Sequence, residues 1–139
     1  MILVDTNILV ALANGRDNNH RVAVDLMETV PEELLVTSTV IAEVCHLLQE
    51  RAGAPAETRF LRSFDAGELV LADLTLTDLR RMAQLTERYA DLGLGGTDAS
   101  VVAVAERLGI TRVATFDRRH FSVVRPAHVR FFSLLPATP

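Results

Sequence analysis

MILVDTNILVALANG, residues 1–15, holds one acid in a mostly apolar opening. Its first letters are apolar without alternation, as in a strand buried on both faces of a parallel sheet. Beyond Asp5 the apolar letters resume for the length of a short helix and stop at Asn14-Gly15. A strand that passes directly into a helix is the opening unit of an α/β chain. Asp5 is the only charge among residues 1–13, so a carboxylate stands at the junction of two apolar elements. The run has no basic leader and no small-residue cleavage site, which argues for folded structure rather than a signal peptide.

The same alternation continues outward from this unit. Apolar runs at 2–5, 34–37, 68–72, 112–116 and 129–135 are expected strands, and segments of helical period at 7–13, 18–29, 39–52, 55–65, 75–89 and 97–108 are expected helices. Thr39, Thr75 and Thr97 precede helical runs as N-caps, and Gly109 follows one as a C-cap. The expected architecture is α/β, a three-layer α/β/α domain around a central, mainly parallel five-stranded sheet. A chain of 139 residues fits one domain, placed at 1–135, with PATP at 136–139 as a frayed C-terminal tail.

Composition narrows the class. Hydrophobic residues make up 49% of the chain and charged residues 23%, which suits a globular domain with a sizeable core and excludes a disordered one. No stretch approaches the roughly eighteen apolar residues of a membrane helix, so no membrane span is expected. Cys45 is alone, which forbids an internal disulfide and suits a reducing, cytoplasmic setting. The net charge of −4 is unevenly spread: residues 1–106 hold eight arginines against seventeen acids, and residues 107–130 hold six arginines against Asp117 alone. A basic segment beside an acidic remainder fits a protein that holds phosphate next to carboxylates, and equally a solvated basic edge paired with surface acids.

Four of the eighteen acids stand out from the polar helix faces. Asp5 and Asp117 each follow an apolar strand, at the carboxyl end where parallel sheets bind ligands. Glu43 falls at the edge of the apolar face of its helix, about 40° from Leu47 at about 100° per residue. Asp98 projects between Ala105 and Val102 on the core side of its helix, in the first turn, where the helix dipole favours an anion. Each acid alone is explained by capping or snorkelling. Together they are harder to explain, since two carboxylates about 4 Å apart repel by roughly 4 kcal/mol at an effective dielectric near 20. Protonation or a divalent cation must relieve that repulsion, and an all-oxygen donor set favours Mg²⁺ or Mn²⁺ over Zn²⁺. His20, His46, His120 and His128 show no ligand spacing and are assigned no site. LGLGG at 92–96 follows no strand, so it reads as a turn and not as a phosphate loop.

An acid-lined cation site at a strand crevice suits phosphoester hydrolysis, in which metal ions bind the phosphate, generate hydroxide and stabilise the leaving oxygen. MILVDTNILVALA, TSTVIAEV, TDASVVAVAERLG and VATFDRRHF, in that order, resemble the four acidic motifs of the PIN-domain family, most closely its VapC-type toxins. The resemblance runs from residue 1 to about residue 134. It implies a metal-dependent endoribonuclease of a toxin–antitoxin pair, usually a homodimer, held by a VapB-like antitoxin whose C-terminal segment covers the active site. By position it assigns Asp5, Glu43, Asp98 and Asp117 as the acidic quartet, with Asp5 and Asp98 as direct Mg²⁺ ligands.

Thr6, Asn7 and Thr115 are expected to orient those acids, or to serve as ordinary turn and cap residues. Arg112, Arg118 and Arg119 lie beside the fourth motif as candidates for RNA phosphates. Asp91 is a further acid near the third motif, either steering substrate or capping a helix. Phe116 and Phe121 read as core, which leaves no visible platform for base stacking. Two other classes compete. A phosphatase is weakened because Asn7 stands where a second Asp is wanted, and a receiver domain because the chain has no lysine. A catalytically inert RNA-binding or scaffold domain is disfavoured by the intact quartet.

Overall fold

The structure is a computed structural model that describes residues 1–137; the last two residues of the expected tail, 138 and 139, lie outside the described residues. Five strands, β1 (Ile2–Val4), β2 (Leu34–Thr37), β3 (Val70–Ala72), β4 (Arg112–Ala114) and β5 (Ser133–Leu135), form one sheet in the order β3-β2-β1-β4-β5. Every pairing is parallel, so the sheet is more uniform than the mainly parallel one expected. Seven helices connect the strands: α1 (Thr6–Ala13), α2 (His20–Thr29), α3 (Ser38–Arg51), α4 (Ala54–Asp65), α5 (Leu76–Arg88), α6 (Gly96–Leu108) and α7 (Arg118–Val123). No helix among the described residues is long and apolar enough to cross a membrane.

The all-apolar strands are buried as their composition requires: Ile2, Leu3, Val4, Val113 and Ala114 are fully enclosed. Helix α6 is buried over Ala99–Ala105, because it packs against α5 and α3 and also reaches β1 and β2. Helices α1, α3 and α4 pack on one another, and α5 packs along α6. Order along the sheet matters most for function. The chain moves outward from β1 to β2 and β3 on one side and to β4 and β5 on the other. The carboxyl ends of β1 and β4 therefore flank a switch point, the crevice where open α/β sheets hold ligands.

Several boundaries differ from expectation for local reasons. The strands are shorter than the apolar runs; β1 stops at Val4 because Asp5 is already the N-cap of α1, its side chain accepting from the Thr6 N–H. Residues 129–132 precede β5 as irregular chain, anchored by buried Phe132. Thr75 caps α5 in a full capping box with Asp78. Thr39 and Thr97, in contrast, lie inside their helices; Thr37 caps α3, and Gly95 stands at the N-cap of α6 with no side-chain cap. Gly109 closes α6 in the left-handed conformation, φ +70°, where a side chain would be strained. Helix α7 is an addition to the expected set, since six residues are too few to show a helical period.

Candidate active site

Val4 of β1 pairs with Ala114 of β4, which sets the next residues, Asp5 and Thr115, side by side at the carboxyl ends of the two strands. Asp5 is 4% exposed, and both of its oxygens are engaged. Oδ1 accepts the Thr6 backbone N–H at 2.8 Å; Oδ2 accepts the Thr115 hydroxyl at 2.7 Å and the Asn7 amide at 3.3 Å. The Thr115 oxygen in turn accepts the Asp117 backbone N–H at 2.9 Å. Asn7 reaches across to accept the Phe116 N–H at 3.0 Å. Asn7 and Thr115 thus tie the first acid to the segment that carries the fourth. The Thr6 hydroxyl is itself buried with no partner among the described residues.

Asp117 is the N-cap of α7, and its Oδ1 accepts the His120 N–H at 3.3 Å. One turn of α7 then brings the His120 ring back over the acids. Its Nδ1 lies 2.9 Å from Asp117 Oδ2 and 3.0 Å from Asp98 Oδ2. A single ring nitrogen carries one proton and so donates to one of these oxygens at a time. The sequence assigns His120 no site, and the structure corrects that reading. The spacing signal lies in the turn of α7, which closes only once that helix forms.

Asp98 and Glu43 reach the site from α6 and α3, whose first turns are joined by a cluster of hydroxyls. Ser100 donates to the Thr97 carbonyl at 2.6 Å and accepts from Thr39 at 2.7 Å, while the Thr37 hydroxyl lies 2.8 Å from the same oxygen. Thr39 therefore fixes the two helices together and is not a cap. Glu43 sits exposed on α3, at the edge its helical phase predicts. All four acids line one cleft of about 310 Å³ with Thr6, Asn7 and Phe116. Asp17, Asn19 and Arg51 line it as well; they come from separate parts of the chain, with no shared sequence signal. Phe116 is half-buried and borders the cleft, whereas Phe121 is fully enclosed in the core.

Charge in this cleft is poorly compensated. Burial pushes the Asp5 carboxyl up to about 6, helped by the charges of Asp98 and Glu43 and opposed by its bonds from Thr115 and Thr6. Burial also raises Asp98; adjacent His120 pulls it back, and Asp117 and Glu43 push it further up. Acids whose ionisation is opposed by burial and by one another's charge gain most from a cation among them. Asp98, Asp117 and His120 each offer a ligand atom, all within 4.8 Å of one another. An imidazole nitrogen thus stands beside the carboxylate oxygens that the sequence predicts as the donor set. That mixture still fits a hard divalent cation and suits Mn²⁺ as well as Mg²⁺.

The expected phosphate-binding arginines do not converge here. Arg112 opens β4, at the opposite end of the strand from the cleft, and forms an ion pair with Glu32. Arg118 donates to the Pro136 carbonyl at 2.9 Å, which ties down the start of the expected tail. Arg119 is exposed in the first turn of α7. Asp91 lies exposed in a 3-10 turn, Ala90–Leu92, and does not line the cleft.

The PIN domain family model matches residues 2–125. Ribonuclease VapC26 of Mycobacterium tuberculosis is 30% identical over 135 residues, spanning 97% of this chain and all of that protein. Among solved structures, M. tuberculosis VapC20, described as a sarcin-ricin loop cleaving toxin, superposes with a TM-score of 0.84 at 25% identity over 94% of this chain and 99% of that one. A toxin–antitoxin complex from Klebsiella pneumoniae shares the fold at a TM-score of 0.69 and 21% identity, over 96% of this chain and 100% of that one.

Proposed function

Because this chain belongs to the PIN domain family, among its VapC-type members, we propose that it is a divalent-cation-dependent endoribonuclease and the toxin of a toxin–antitoxin pair. The observation that carries this reading is the convergence of Asp5, Glu43, Asp98 and Asp117 on one cleft at the switch point of the sheet. Residues 1–135 form the nuclease domain, and the protein acts in the cytoplasm as a homodimer with a VapB-like antitoxin. The relatives' names support the ribonuclease and the antitoxin partner; the domain bounds, the cytoplasmic setting and the homodimer rest on the motif resemblance and the lone cysteine alone.

Asp5 and Asp98 are the proposed direct ligands of Mg²⁺, with Mn²⁺ as a substitute; Glu43 and Asp117 complete the negative shell. A divalent cation held there would supply Lewis acidity and charge stabilisation for phosphodiester hydrolysis. The chain's own residues prepare that chemistry. Thr6 and Thr115 fix both oxygens of Asp5, so its carboxylate needs no reorganisation when substrate arrives. Thr115 couples the placement of Asp117 to that of Asp5 through the Asp117 N–H. His120 holds Asp98 and Asp117 toward each other.

The test is RNA cleavage by purified protein with Mg²⁺ or Mn²⁺ and with excess chelator. Cleavage that needs the cation is expected; cleavage unchanged by chelator overturns the reading.

A further inference from the structure

We infer that a second groove, lined by Arg16, Arg51 and Arg59 and continuous with the acidic cleft through Arg51, is the subsite that holds the phosphodiester backbone of the RNA flanking the cleaved bond. This rests on the ribonuclease reading and deepens it by naming where the substrate's charge is held.

The groove has a volume of about 440 Å³ and is separate from the arginine-rich C-terminal segment. The fold assembles it from three elements that are distant in sequence. Arg16 follows α1, Arg51 is the last residue of α3, and Arg59 lies in α4; α3 packs against both of the others. All three side chains are exposed, and none enters an ion pair among the described residues. The one acid that lines the groove, Glu50, lies 3.3 Å from His46. Gln49 turns its amide to Glu57 at 2.9 Å.

Continuity with the acids follows from helix geometry. Glu43, Leu47 and Arg51 recur at every fourth position of α3 and share one face, and all three line the acidic cleft. Eight residues of helix carry the path about 12 Å from the carboxylates to the guanidinium. A polyanion entering a cleft of four acids is repelled unless cations line its approach. Arginine suits that task because its planar fork binds phosphate oxygens in pairs. Three of the six C-terminal arginines are committed elsewhere: Arg107 to Asp78, Arg112 to Glu32 and Arg118 to the Pro136 carbonyl. Three unpaired guanidiniums beside the cleft are the complementary charge.

The experiment measures binding of a labelled, mixed-sequence single-stranded RNA by fluorescence anisotropy across a KCl series, with chelator present to prevent cleavage. The variants are R16Q, R51Q, R59Q and their combination, with R80Q on exposed α5 as the control for lost charge; unchanged melting temperatures establish that each folds. Each phosphate contact contributes about 0.7 to the slope of log K against log [salt] for a single strand, so the triple variant should lose about 2 from the slope. Its affinity at low salt should fall at least tenfold, whereas R80Q should match the wild type.

An unchanged slope and affinity in the triple variant overturns the inference, and so does an equal loss in R80Q. Cleavage by the wild type in Mg²⁺ keeps the two claims apart. Cleavage with an unchanged slope removes the groove alone; a lost slope without cleavage in any divalent cation removes the nuclease reading and leaves the RNA groove standing.

Discussion

Replacing Asp5 with Asn should stabilise the protein without metal and weaken it with metal. The wild-type carboxyl is raised from 3.8 to about 6 in the folded state, mainly by burial. The folded protein therefore binds more protons than the unfolded chain between those values, and stability falls as pH rises through that window. At pH 7 the ionised, desolvated Asp5 costs about 3 kcal/mol. The substituted amide removes that charge and keeps an acceptor for the Thr6 N–H. It misfits the Thr115 hydroxyl, which now donates to Oδ2, at a cost of about 1 kcal/mol. The net gain of about 2 kcal/mol corresponds to roughly 6 °C in melting temperature for a chain of this size. Saturating Mg²⁺ at about a hundredfold its dissociation constant stabilises the wild type by about 2.7 kcal/mol and should reverse the order. The assay is thermal unfolding of both proteins from pH 4 to pH 8, in chelator and in Mg²⁺. In chelator the variant should melt at or slightly below the wild type near pH 4 and gain its full advantage above pH 6. A variant that melts lower than wild type in chelator at pH 7, or a difference independent of pH, refutes the reasoning.

Ser100→Ala should destabilise by about 1–3 kcal/mol, because the Thr37 and Thr39 hydroxyls lose their shared partner; chemical denaturation measures it, and a change within error removes the hydroxyl cluster as a clamp between α3 and α6. Asp78→Ala should cost about 3 kcal/mol, since Asp78 is buried, completes the capping box of α5 with Thr75 and pairs with the partly exposed Arg107. Burial opposes ionisation of Asp78, but the Arg107 and Thr75 bonds outweigh it and hold the carboxyl below its usual range. Its stabilising contribution is therefore present above the ordinary carboxylate range and lost as pH falls through the lowered value; a variant whose deficit at neutral pH does not shrink in acid contradicts this. Phe121→Ala should cost about 3–5 kcal/mol by opening a cavity where α7 meets the core, with denaturation midpoints as the check.

What is legible in the sequence divides along physical lines. Asp5 and Asp117 stand out because a charge beside an all-apolar strand has few explanations, and the parallel sheet then places both at one edge. Asp98 and Glu43 follow from helical phase, which fixes direction once the helix is placed. His120 is hidden because its role depends on one turn of a six-residue helix, too short to show periodicity. Arg112 misleads for the opposite reason: proximity to Asp117 in sequence hides the length of β4, which puts the two at opposite ends of a strand. Thr39 and Ser100, like Arg16, Arg51 and Arg59, meet only through helix packing, a tertiary relation with no local pattern.

If the four acids hold a cation for RNA cleavage, Mg²⁺-dependent cleavage by the wild type against Asp98→Asn reports on it without intermediate steps. That substitution keeps the size of the side chain and removes its charge. Cation-dependent cleavage by the wild type is expected, with loss of cleavage in a variant that remains folded by its melting curve. Undiminished cleavage by folded Asp98→Asn would contradict it.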